Sequence, residues 1–119
     1  MGKHNEFGKL GEQKAVDFLL KKGYEILYRN YRYLKGEIDI IAKKEDTLCI
    51  VEVKSRTSGF FETISDTITK KKIGLLVTTA SHYVEENDLD VDVRFDVITI
   101  IKKQERFEIE HLENAFYHF

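Results

Sequence analysis

Two short stretches set the limits on how this chain folds: Gly36-Glu37-Ile38-Asp39-Ile40-Ile41-Ala42, and Val51-Glu52-Val53-Lys54 a little further on. Each alternates apolar with charged residues at period two, which is the pattern of a β-strand. Alternation assigns the faces. Glu37 and Asp39 fall on one side with Ile38 and Ile40 on the other, and Glu52 and Lys54 fall opposite Val51 and Val53. The connection Lys43-Lys44-Glu45-Asp46-Thr47 is polar and short, so the two strands are expected to form an antiparallel hairpin. Asp39, Glu52 and Lys54 would then converge. Two carboxylates beside an ammonium suit magnesium-assisted phosphodiester hydrolysis, which needs oxygen ligands for a hard cation and a fixed positive charge for the developing anion. A solvent-facing strand pair laced with ion pairs has the same alternation, so the motif needs its context.

That context is an α/β pattern over 119 residues, a length expected to make one domain spanning 1–119. Apolar residues at helical spacing predict a helix from about Asn5 to Lys22, stopped by Gly23. Tyr24 to Tyr33 reads as a strand. A loop is expected over Ser55–Phe61, a second helix from about Asp66 to Asn87, a strand from Arg94 to Ile101 and a shorter one from Phe107 to Leu112. The order α-β-β-β-α-β, with that last strand pairing onto its neighbour, predicts a sandwich of mixed sheet and helices.

Charge limits the partners. The net charge of −2 argues against a generic nucleic-acid coat, but residues 1–56 carry 12 Lys or Arg against 9 Asp or Glu, so the acidic pair lies in the basic part of the chain. No membrane-length apolar run or signal-peptide core is present, and a cytoplasmic protein is expected. Cys49, between Leu48 and Ile50, reads as a small buried hydrophobe. His4, His82, His111 and His118 lack ligand spacing for zinc.

Further motifs bear on identity: Gly8-x-x-Gly11-Glu12-x-x-Ala15, Arg29-Asn30, Gly36-Glu37-Ile38-Asp39, Val51-Glu52-Val53-Lys54-x-Arg56, Lys72, Arg94-Phe95-Asp96-Val97-Ile98 and Asn114-Ala115-Phe116. The element order with Asp39-x12-Glu52-x-Lys54 resembles the PD-(D/E)xK nuclease superfamily, and the full set resembles the YraN-like bacterial family. The resemblance implies a restriction-endonuclease-like fold and an endonuclease acting on DNA, similar in outline to archaeal Holliday-junction resolvases. It implies Asp39 and Glu52 as ligands of Mg2+ or Mn2+, Lys54 as the residue that positions or activates water, and Glu12 as a helical acid completing the metal site. Ile38 stands where the literal superfamily motif has proline. The alternative from another class is a nucleic-acid-binding or scaffold domain that keeps the fold and cleaves nothing.

Two basic residues are candidates for phosphate contact: Arg56 near the site, and Lys72, which alone of Lys70, Lys71 and Lys72 matches the family pattern. Glu37 is either a site residue or the structural partner of a nearby base. Arg94 and Asp96 share a strand face and are expected to form structural hydrogen bonds. Phe116, Tyr117 and Phe119 either cover the core or form a contact between two copies.

Overall fold

The computed structural model describes residues 3–57 and 68–116. Among these residues the order is α1 (Lys3–Lys21), β1 (Glu25–Tyr33), β2 (Gly36–Lys44), β3 (Thr47–Thr57), α2 (Lys70–Glu86), β4 (Asp92–Lys103) and β5 (Arg106–Leu112). The five strands form one sheet in the order β1-β2-β3-β4-β5. Every neighbouring pair is antiparallel except β3–β4, which is parallel and has α2 in its connection. This mixed sheet with flanking helices is compatible with a restriction-endonuclease-like fold.

Each helix covers one face. Ala15, Val16 and Leu19 of α1 pack on Ile40, Ala42, Cys49, Val51, Ile98 and Ile100, whereas Leu76, Ala80 and Tyr83 of α2 pack on Ile38, Ile41, Leu48, Ile50 and Phe95. The wholly apolar run Leu48-Cys49-Ile50-Val51 follows from this, since a central strand is buried on both faces. Gly23 ends α1 as expected: at φ 91° its N–H donates to the Leu20 carbonyl while the Tyr24 N–H donates to Leu19, a paired cap that glycine adopts without steric cost. Leu10, one of the apolar residues whose helical spacing predicts this helix, is 45% exposed, because the helix turns Gly11 and Ala15 inward instead.

The strand continues where a loop is expected. Ser55, Arg56 and Thr57 extend β3 in parallel register with Ile100, Ile101 and Lys102, because β4 is long enough to pair with them. The rest of that expected loop, with the start of the expected second helix, lies outside the described residues. Helix α2 begins at Lys70, where the Thr69 hydroxyl accepts the Lys72 amide at 3.1 Å.

One face assigned by alternation needs correcting. Ile38 packs under α2 while Ile40 packs under α1, so they do not share a face. The neighbouring strand changes facing at the same level, with its register to β2 unbroken there: Tyr31, opposite Ile38, packs under α2, whereas Arg29, opposite Ile40, reaches α1. Between them Asn30 sits at φ 57°, a left-handed conformation that asparagine tolerates better than most residues. A strict period of two cannot pass through such a residue, and Asp39 lies at that point on β2.

Beneath the C-terminal end of α1 a polar cluster closes the core. The Asp96 carboxylate, 1% exposed, accepts from Arg94, from the Cys49 thiol at 2.9 Å and from the Asn114 amide at 3.0 Å, and lies 2.7 Å from His111 Nε2. Burial alone would raise its pKa, but the hydrogen bonds from His111, Arg94, Cys49 and Asn114 outweigh it and hold the carboxyl well below the usual range. Burial, with Asp96 alongside, pushes the Cys49 thiol far up, so it has no nucleophilic character. Phe116 packs on Phe95 and covers the core; Tyr117 and Phe119 lie outside the described residues.

Candidate metal and phosphate site

The hairpin brings the expected acids together. Strands β2 and β3 pair through Lys44↔Thr47 up to Ile40↔Val51. At the next position the ladder gives way to a side chain, and Asp39 Oδ2 accepts the Val53 amide at 2.8 Å. Asp39 therefore sits in the seam between the strands. It opens onto two cavities, one of about 300 Å³ on the α2 side and one of about 600 Å³ on the α1 side.

Glu52 points to the α2 side and is 4% exposed. Such a buried carboxylate needs partners, and it has two ammonium groups: Lys54 Nζ lies 3.2 Å from its Oε2, and Lys72 forms an ion pair with the same oxygen. Asp39 lines the same cavity. Burial and the charge of Glu52 push the Asp39 pKa up to about 7, against the opposing hydrogen bond from Val53. Burial would lower the Lys72 pKa, but the Glu52 carboxylate outweighs it and raises it.

The other sequence candidates surround this pair. Glu12 is on the α1 side, where Gly11 lets the helix approach Ser55 closely enough that a β-carbon would not fit. Its Oε2 accepts from Arg29 at 2.8 and 3.1 Å and from Asn30 at 3.2 Å, so three motif residues form one cluster beside the cavity that Asp39 also lines. Glu37 forms an ion pair with Arg32 across the β1–β2 pair and lines both cavities. Arg56 lines the α1-side cavity, with Nη1 donating to the Ser55 carbonyl at 2.9 Å. Thus Lys54 and Lys72 both pair with Glu52, and Asp39 lines the same cavity as Glu52 and Lys72, while Glu12, Glu37 and Arg56 stand around them. Sequence spacing does not reveal the Arg29 clamp on Glu12 or the Lys72–Glu52 pair, since both depend on how the helices dock.

Among the described residues no three His, Cys, Asp or Glu side chains gather closely enough to hold a metal ion. Two carboxyls, Asp39 and Glu52, line one cavity. Magnesium commonly takes one or two carboxylates from a protein and completes its shell with water and substrate oxygens, so Asp39 and Glu52 fit that cation or Mn2+ by donor type and number. Two carboxyls close enough for the charge of Glu52 to raise the Asp39 pKa also form a place where a divalent cation would relieve like-charge repulsion.

Known proteins give the chain its relatives. Residues 11–100 match the model of a family described as uncharacterised protein family UPF0102. A UPF0102 protein of Flavobacterium psychrophilum is 52% identical over 119 residues, covering all of both chains. Those of Christiangramia forsetii and Parabacteroides distasonis are 51% and 44% identical, covering all of both chains in the first case and 98% of this chain and 97% of the relative in the second. The chain belongs to the uncharacterised protein family UPF0102.

Proposed function

We propose that this protein is a divalent-metal-dependent endonuclease that hydrolyses DNA phosphodiester bonds. The observation that carries the reading is the grouping at the end of the β2–β3 ladder: the Asp39 and Glu52 carboxyls lining one cavity and close enough for the charge of Glu52 to act on Asp39, with Lys54 against Glu52. In this reading Asp39 and Glu52 hold Mg2+ or Mn2+, which supplies Lewis acidity and an activated water. Lys54 holds positive charge where negative charge develops around phosphorus. Glu12 is the third acid of the site and has to exchange Arg29 to reach the cation. Arg56 and Lys72 take phosphates on either side of the cleaved bond, positioning the strand without reading bases. A chain of this size leaves little room for base readout, which favours branched or otherwise structured DNA over a defined sequence.

The test is incubation of the purified protein with Mg2+ or Mn2+ and linear, nicked, flapped and four-way DNA, beside Asp39→Asn. Metal-dependent cleavage lost in the variant is expected. Binding without cleavage of any substrate would instead assign the chain to a non-catalytic nucleic-acid-binding role.

A further inference from the structure

Helix α2 begins against its own electrostatics. The N-terminal end of a helix carries partial positive charge and favours acids, yet its first turn holds Lys70, Lys71 and Lys72 and no acidic residue. Three cations there repel both the helix dipole and one another, an arrangement that makes physical sense when the turn has an anion to hold. The anion present is Glu52. Lys72 forms its ion pair with the buried Glu52 Oε2, and the Thr69 hydroxyl fixes the backbone of that turn by accepting the Lys72 amide. Thr69, Lys71 and Lys72 line the α2-side cavity together with Asp39 and Glu52.

The geometry points to Lys72 as a resident counter-ion, which occupies Glu52 in the metal-free protein and competes with the divalent cation for it. This inference rests on the metal-site reading and extends it. Loading of a cation onto Asp39 and Glu52 displaces the Lys72 ammonium. The freed group, still anchored on the first turn of α2 and still inside the cavity, then faces a substrate phosphate. Lys54 pairs with the same oxygen but is the more buried of the two ammonium groups, its side chain 18% exposed against 38% for Lys72. Lys72 is thus a positioning residue with two stations: it keeps the carboxyl pair compensated before the metal arrives, and it couples metal loading to capture of the phosphate. The coupling has a cost in metal affinity, because the cation must replace a partner already in place.

Titration of the full chain with Mn2+ alone, followed by the electron paramagnetic resonance signal of free Mn2+, tests this without reference to activity. Lys72→Met should bind Mn2+ about tenfold more tightly than the parent, the scale expected for removing one charged hydrogen-bonded competitor. Lys71→Met removes the same charge from the same cavity without touching the Lys72–Glu52 pair, and should stay within about twofold of the parent. Should the methionine variant fold poorly, as judged by circular dichroism, Lys72→Gln serves in its place. A second measurement uses 13C-methylated lysines: Mg2+ should move the resonance absent from the Lys72 variant and leave that of Lys71 in place. Equal Mn2+ affinity in parent and Lys72→Met overturns the competition while leaving the metal site standing. Weaker binding in Lys72→Met overturns it too, showing that Lys72 supports the ligands. No Mn2+ binding in any of the proteins removes the metal site and the counter-ion role together.

Discussion

The Asp39 carboxylate accepts the Val53 amide hydrogen at 2.8 Å, taking the place a carbonyl of the neighbouring strand would have in a regular ladder. One side chain thus both closes the end of the β2–β3 pair and faces the two cavities. The same bond links the stability of the hairpin to the chemistry proposed for the site, and the expected consequences differ for metal, pH and substitution.

Metal should stabilise the fold through Asp39. Binding to the native state alone contributes RT ln(1 + [L]/Kd), so 10 mM Mg2+ against a Kd of about 1 mM gives roughly 1.4 kcal/mol. For a domain this size that raises the melting temperature by roughly 4 to 8 °C. Asp39→Asn should melt no lower than the parent in EDTA and should lose most of the magnesium response. Thermal melts of both proteins, with EDTA and with Mg2+, check this; an Asn variant that is destabilised and a parent indifferent to magnesium would make Asp39 purely structural.

The pH dependence has a definite sign in the absence of metal. Because Asp39 in the folded protein titrates near about 7, far above an ordinary carboxyl, the folded state retains a proton that the unfolded chain has already released. Stability from this group is therefore lost as pH rises from about 4 to about 7. Discounted for solvent around a half-buried carboxyl, the loss is about 2 kcal/mol. Urea melts in EDTA at pH 5 and pH 8 should show the parent weakening across this range and Asp39→Asn doing so much less.

Chemistry at the site should depend on the charged trio. Any cleavage should fall at least about a hundredfold in Asp39→Asn, Glu52→Gln or Lys54→Ala, since metal ligation and fixed positive charge each lower a barrier by several kcal/mol. Single-turnover rates on the preferred DNA measure this. Activity surviving all three substitutions would place the chemistry elsewhere.

At the far end of the sheet, Asp96→Ala should be among the most destabilising single changes. It leaves Arg94 and His111 without their shared carboxylate beneath α1, and stranding a buried charge costs about 3–5 kcal/mol. Because Asp96 titrates below the usual range, its contribution is present above about pH 4 and is lost as pH falls further, opposite in direction to that of Asp39. Denaturant midpoints for parent and variant should differ less at pH 3 than at pH 7.

Gly36→Ala tests the docking of α2 on the hairpin. A β-carbon at Gly36 would lie 1.9 Å from Thr79 Oγ1 and 2.9 Å from the Leu75 carbonyl. Overpacking of this kind costs about 1–3 kcal/mol. Adding Thr79→Ala should recover only part of it in urea melts, because the Leu75 carbonyl belongs to the backbone and cannot turn away.

The legible part of this molecule was its local part. Alternation and a short polar connection were enough to pair Gly36–Ala42 with Val51–Lys54, and thereby to put Asp39 and Glu52 together, because hairpin register depends on neighbours along the chain. The change of facing at Asn30 and Asp39 could not be read this way, since a single residue at positive φ leaves no trace in hydrophobic periodicity. Nor could the grouping of Cys49, Asp96 and His111, which come from three different strands and carry no common spacing. Lys72 stood out by family pattern, but its partner became visible only once α2 had a place on the sheet.

Strand order in the sheet repeats strand order in the chain, and this has a consequence for assembly in time. Three of the four strand pairings are hairpins between consecutive segments, each closing a short loop; only β3–β4 requires the long crossover that carries α2. Loop closure disfavours the distant contact, so the hairpins should form early and the crossover late. Asp39 and Glu52 would then meet before Lys72 reaches them. For that interval the nascent protein holds a pair of acids without their helical counter-charge, and a slow folding step that speeds up with Mg2+ in stopped-flow refolding would be its kinetic signature.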